Sequence, residues 1–168
     1  MAKITIDGNE IETVGFLPEK GTQAPGFELV GNGLDVVTNA DFAGKRIIMD
    51  IFPSVDTGVC AQSVRRFNQI ASVLPNTVVL CVSKDLPFAF DRFCGAEGID
   101  NAITVSAFRS NFGDDYGVTM TTGPLQGLLS RSVVVIEPDG TVSYTQQVPE
   151  IKQEPDYQLV LEAIDLDD

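Results

Sequence analysis

The chain is 168 residues long, enough to bury one substantial core and too short for two full domains. Hydrophobic residues make up 43% and charged residues 21%, interleaved throughout, which excludes a disordered or low-complexity chain. The net charge of -13, from 24 acidic and 11 basic residues with no dense Lys/Arg tract, argues against nucleic acid and anionic membranes as partners.

In chain order, "KITIDGNEIE" sets Ile4, Ile6 and Ile11 in alternation around Asp7-Gly8-Asn9, the pattern of a β-hairpin. Two short strands are expected at Phe27 to Val30 and Leu34 to Val37, among turn residues. "KRIIMDIFP" reads as a buried strand stopped by Pro53. "VCAQSVRRFNQIASVL" reads as a helix, with Val64, Phe67, Ile70, Ala71 and Leu74 at helical spacing. "NTVVLCVS" is a second apolar strand, followed by a helix from near Pro87 to Gly95 or Gly98. Ile103 to Val105 suggests a short strand and "SAFRSNFGDDYG" a short helix and turn. "RSVVVIEPDGTVSYTQQV" is a hairpin turning at Pro138-Asp139-Gly140. In "EPDYQLVLEAIDLDD", Tyr157, Val160, Leu161 and Ile164 share one face of a terminal helix.

This order implies an α/β fold with a mixed central sheet, parallel in the middle and antiparallel late, flanked by helices on both faces. A thioredoxin-like arrangement is the nearest common solution. We expect a single domain over residues 1–168, with 1–15 as an N-terminal hairpin extension. The opening "MAKITIDGNE" lacks the basic start and apolar run of a secretory signal, and no segment approaches the roughly 18 apolar residues of a membrane span. The expectation is a cytoplasmic protein without membrane contact.

The chain has no histidine, which removes Ser-His-Asp and Cys-His catalysis and histidine metal ligation. Three cysteines remain, an odd number that argues against a structural disulfide framework. Cys60 sits near the expected N-terminus of the helix carrying Arg65 and Arg66. Unpaired amides, the helix dipole and a nearby guanidinium favour a thiolate there, so Cys60 has the best nucleophile setting. The alternative is a small buried side chain. Cys81, within "TVVLCVS", reads as core. Cys94, within "FDRFCGAEG", suits core packing and a redox-partner role equally. A metal site is disfavoured, because no CxxC pair occurs and Cys81 would have to leave the core.

Three further residues bear on Cys60. Pro53 fixes one torsion and removes a donor, helping to end the strand and shape a pocket. Thr57 either caps the helix or turns its hydroxyl toward the sulfur. Arg131 opens the apolar strand "SVVVIE", where it either projects to solvent or reaches the helix N-terminus to stabilise a thiolate.

Pro53, Thr57 and Cys60 in "PSVDTGVC" resemble the P-x-x-x-T-x-x-C pattern of peroxiredoxins, with Arg131 in "GLLSRSVVVIEPDG" as the distant arginine. The chain is similar to bacterial thiol peroxidases of the atypical two-cysteine type over nearly its whole length. The likeness runs from "GNEIETVG" through "GTQAPGFELV" and "CVSKDLPFAFDRFC" to the terminal helix.

The resemblance implies an antioxidant enzyme that reduces hydroperoxides with no cofactor and no metal. It implies that Cys60 is the peroxidatic cysteine and Cys94 the resolving cysteine of an intrachain disulfide. Thr57 and Arg131 would orient and activate, with Pro53 shaping the pocket. It further implies thioredoxin as reductant and a homodimer, for which Phe88, Phe90, Phe93 and Phe112 are contact candidates that core packing explains as well. Two rival readings share these thiols. A thioredoxin-like disulfide exchanger would normally carry a CxxC pair, and a redox sensor would turn over little.

Overall fold

The computed structural model describes residues 1–165. The hairpin is β1 (Lys3–Ile6) with β2 (Asn9–Glu12), followed by β3 (Glu28–Gly31), β4 (Val36–Thr38) and a 3-10 turn at Asn39–Phe42. Next come β5 (Arg46–Ile51), α1 (Gly58–Ala71), β6 (Thr77–Ser83), α2 (Pro87–Glu97) and β7 (Ile103–Ser106). The chain continues with α3 (Phe112–Asp115), β8 (Ser132–Ile136), β9 (Val142–Gln147) and α4 (Tyr157–Asp165).

Seven strands form one sheet in the order β4-β3-β7-β6-β5-β8-β9. The apolar strands β5 and β6 run parallel, as do β6 and β7, because α1 and α2 carry the chain back between them. Every other neighbour in the sheet is antiparallel. Alternation along the central strands sends Ile47, Met49 and Ile51 to one face and Ile48 and Phe52 to the other. The first face is closed by Phe112, Tyr116 and Leu129, the second by α1, α2 and α4 through Val64, Phe67, Phe90, Val160 and Ile164. The hairpin forms its own two-stranded sheet and packs Ile4 and Ile11 on Met120 and Ile151, next to the end of the main sheet.

Most element limits fall within a residue of the sequence reading, as at β3 and β7, and two differ by more. Leu34 lies outside β4: it takes a left-handed φ of 68° in the turn that Gly31 and Asp35 close by hydrogen bonding, so the strand begins at Val36. Leu74 lies beyond α1, which ends at Ala71 as Ser72 donates its hydroxyl back to the Gln69 carbonyl one turn before Pro75. Among the described residues, no helix is long and apolar enough to cross a membrane.

Candidate active site

The strand-to-helix loop after β5 carries the first part of the site. Pro53 is buried at its start. Thr57 is the N-cap of α1: its extended backbone starts the helix, and its Oγ1 accepts from the Cys60 amide at 3.4 Å while donating to the Ser54 carbonyl at 3.1 Å. The capping role read from the sequence is therefore met, and the exposed side chain also lines a groove. Cys60 is the third helical residue, with 0% exposure, beside Val64 and Phe67. The sulfur is therefore shielded, though its neighbours Val59 and Arg131 line a groove.

Arg131 immediately precedes β8. Ser132 pairs with Ile51, so the arginine arrives at the end of β5 from which the chain enters α1. It is 1% exposed, which overturns the solvated alternative. Its Nε donates to the Ile151 carbonyl at 2.8 Å and its Nη2 to Cys60 Sγ at 3.2 Å. Its Nη1 is buried with no hydrogen-bond partner among the described residues. A groove of about 440 Å³, lined by Pro53, Thr57, Val59, Leu125, Arg131 and Ile151, opens onto these groups. The structure thus brings Pro53, Thr57, Cys60 and Arg131 together. A partly desolvated guanidinium and a helix N-terminus beside one sulfur suit a sulfur anion and a second electronegative ligand.

Cys94 lies apart, near the end of α2. Its sulfur is 3.4 Å from Thr104 Oγ1 on β7, and Asn32 Nδ2 donates to it at 3.9 Å. Thr104 in turn donates to Asn32 Oδ1 at 3.0 Å, leaving its oxygen to accept from the thiol. The groove beside Cys94 shares no lining residue with the groove at Pro53, Thr57 and Arg131. Since Cys94 contacts β7 and Cys60 lies by β5 and β8, the two sulfurs sit over strands separated by about 10 Å, two strand spacings. All three cysteines are free thiols. Cys81 is fully buried in β6, and burial first, then nearby Asp50 and Cys94, push its thiol well up, which keeps it protonated and inert.

Several polar residues at the site escape the sequence reading. Asp85, between β6 and α2, accepts from Ser54 Oγ at 2.7 Å, the Val55 amide at 2.9 Å and Ser83 Oγ, tying the loop before Thr57 to the sheet. Asp50 is fully buried in β5 and bonded to Ser63 of α1, and burial pushes its carboxyl from 3.8 to about 7. Asp50 was visible in "RIIMDI" as a lone acid in an otherwise apolar central strand. Asn32 and Thr104 carry no comparable local signal, because they are partners 72 positions apart, and the bonds that tie Asp85 to the loop reach 30 and 31 positions along the chain. Replacing Asp85 with alanine is expected to lower stability by about 2 to 3 kcal/mol in urea unfolding, since three bonds to one acceptor disappear. The same change should speed amide hydrogen exchange across residues 54–57, because the loop that presents Thr57 loses its anchor.

The redoxin family model matches residues 19–161. The chain is 57% identical to the thiol peroxidase of Mycobacterium tuberculosis strain H37Rv over 164 residues, covering 98% of this chain and 99% of that one. It is 55% identical, with the same coverage, to the thiol peroxidase of Corynebacterium glutamicum. The solved peroxiredoxin-like protein of Aquifex aeolicus superposes with a TM-score of 0.92 at 34% identity, covering 99% of this chain and 98% of that one. By fold and by sequence over nearly its entire length, this chain belongs to the redoxin family and, within it, to the thiol peroxidases, which are peroxiredoxin enzymes.

Proposed function

We propose that the chain reduces hydrogen peroxide and organic hydroperoxides through Cys60, and that the Arg131 Nη2 contact to Cys60 Sγ at 3.2 Å is the observation that carries this reading. The Cys60 thiolate donates an electron pair to the terminal peroxide oxygen. The S–O bond forms as the O–O bond breaks, and the departing oxygen leaves as water or alcohol after taking a proton. Sulfur supplies both electrons, so the step needs no cofactor. Arg131 Nη1, without a bond among the described residues, has a donor free for a peroxide oxygen, and Thr57 Oγ1 lines the same groove. These groups hold the oxygen pair while charge develops on it.

Cys94 then attacks the Cys60 sulfenic sulfur and displaces water, giving an intrachain disulfide. A disulfide needs Cα atoms about 4.4–6.8 Å apart, so helix ends must unwind first. The state of α2 supports that movement: its N-cap Leu86 makes no side-chain cap bond, and only Pro87 and Phe90 along it are buried. A dithiol reductant of the thioredoxin type reopens the bond by exchange. That reductant implies a reducing compartment, the cytoplasm. The working form is a homodimer. Phe88, 67% exposed, remains as a contact candidate, whereas Phe90 and Phe112 are occupied in the core.

Peroxide consumption with thioredoxin and its reductase tests the scheme. C94S is expected to complete the first turnover at the wild-type rate and then recycle poorly through the intrachain route, while C81S stays active. A dominant Cys60–Cys81 or intersubunit disulfide after one equivalent of peroxide would overturn the role given to Cys94.

A further inference from the structure

Asp50 is a fully buried carboxyl for which the peroxide chemistry has no use. It is the last residue but one of β5, paired across the backbone with Cys81 on β6 and Val133 on β8, with its side chain under α1. The groups that face it are Ser63 from α1, Cys81 from β6, Arg131 from just before β8 and Tyr157 from α4. Arg131, which also bonds the Cys60 sulfur, is the one lasting charge in that set.

Ser63 Oγ lies 3.0 Å from Asp50 Oδ2 and 2.9 Å from the Cys60 carbonyl oxygen. A hydroxyl has a single proton to give. With that proton on the Cys60 carbonyl, the other bond requires the proton to come from Asp50, as a neutral acid. Asp50 Oδ1 has no hydrogen-bond partner among the described residues, a state tolerable for the carbonyl of an acid and costly for a carboxylate. Burial acts in the same direction, outweighing the opposite pull of Ser63 and Arg131.

We propose that Asp50 is a positioning residue for Cys60: as a neutral acid it donates to Ser63, sends the serine proton to the Cys60 carbonyl, and pins the first turn of α1 beneath the sulfur. When Asp50 loses its proton, the serine proton turns to the carboxylate and the Cys60 carbonyl loses that bond. A negative charge then shares the buried region with Arg131 and the reacting sulfur. Both changes oppose attack on peroxide. The inference deepens the peroxidase reading of Cys60 and rests on it.

The test is the pH dependence of single-turnover peroxide oxidation of Cys60 in wild type, D50N and S63A. D50N keeps a donor for Ser63 and has no proton to lose. The ratio of D50N to wild-type rate is expected to be near one at about pH 5.5 and to rise roughly tenfold by about pH 8.5, the order of effect of one buried unit charge on another in the same region. A ratio that does not change with pH overturns the proposal. S63A, which cuts the relay and leaves the carboxyl, should be slower than wild type at about pH 5.5, and equal rates there overturn the relay. Should D50N not fold, the Asp50 carboxyl carbon resonance in the unaltered reduced chain decides: titration near neutrality supports the proposal, and an ordinary midpoint of about 4 overturns it. Iodoacetamide alkylation of Cys60 across the same pH range separates the two readings. A D50N to wild-type ratio that climbs with pH there, in a chain that does not consume peroxide, supports the Asp50 role and counts against the peroxidase reading alone.

Discussion

C60S is expected to consume no hydroperoxide above background, a loss of roughly a thousandfold or more, because the hydroxyl at that position is neither ionised nor nucleophilic enough to open an O–O bond. The fold should survive. Serine keeps an oxygen that can accept from Arg131 Nη2, so the guanidinium is not left without its partner, and the buried site changes little in volume. Coupled thioredoxin reductase turnover measures the first effect and urea unfolding the second. Normal turnover by C60S would remove the basis of the mechanism, since Cys81 sits fully buried in β6 and Cys94 lies over another strand.

R131M carries the second large effect. Methionine fills much of the same apolar volume, and exchanging a buried charge for a packed apolar chain is often tolerated in stability. The lost bonds, however, are those to Cys60 Sγ and to the Ile151 carbonyl, and the unpartnered Nη1 donor goes with them. Losing the preorganised donors should slow single-turnover oxidation by roughly 10²- to 10³-fold. R131K should recover only part of this. An ammonium is a point donor and cannot bond the Ile151 carbonyl and the Cys60 sulfur in the fixed geometry of a guanidinium fork. Full activity in R131M would mean that the helix N-terminus and Thr57 suffice.

Much of this architecture is legible in the sequence because it depends on local signals. Apolar runs stopped by Pro53 or followed by Pro87 mark β5, β6 and the start of α2, and the Val64, Phe67 and Ile70 spacing marks the inner face of α1. Leu34 misleads for a local reason as well, since an apolar side chain there occupies a turn whose backbone is set by its hydrogen bonds. The site residues Pro53, Thr57 and Cys60 lie on one loop and are readable as a motif. The burial of Arg131 is not, since it depends on β8 lying antiparallel beside β5, a pairing of residues 81 to 89 positions apart that no local pattern encodes. Asp85 and the Asn32–Thr104 pair around Cys94 are hidden for the same reason. Each becomes meaningful only after the sheet order puts distant segments side by side.

The most direct measurement is identification of the sulfur that peroxide oxidises. The C94S chain, treated with one equivalent of hydroperoxide in the presence of dimedone and then digested, should yield a sulfenic-acid adduct on Cys60 and an unmodified Cys81. An adduct on Cys81 in place of Cys60, or peroxide left unconsumed in a folded chain, would contradict it.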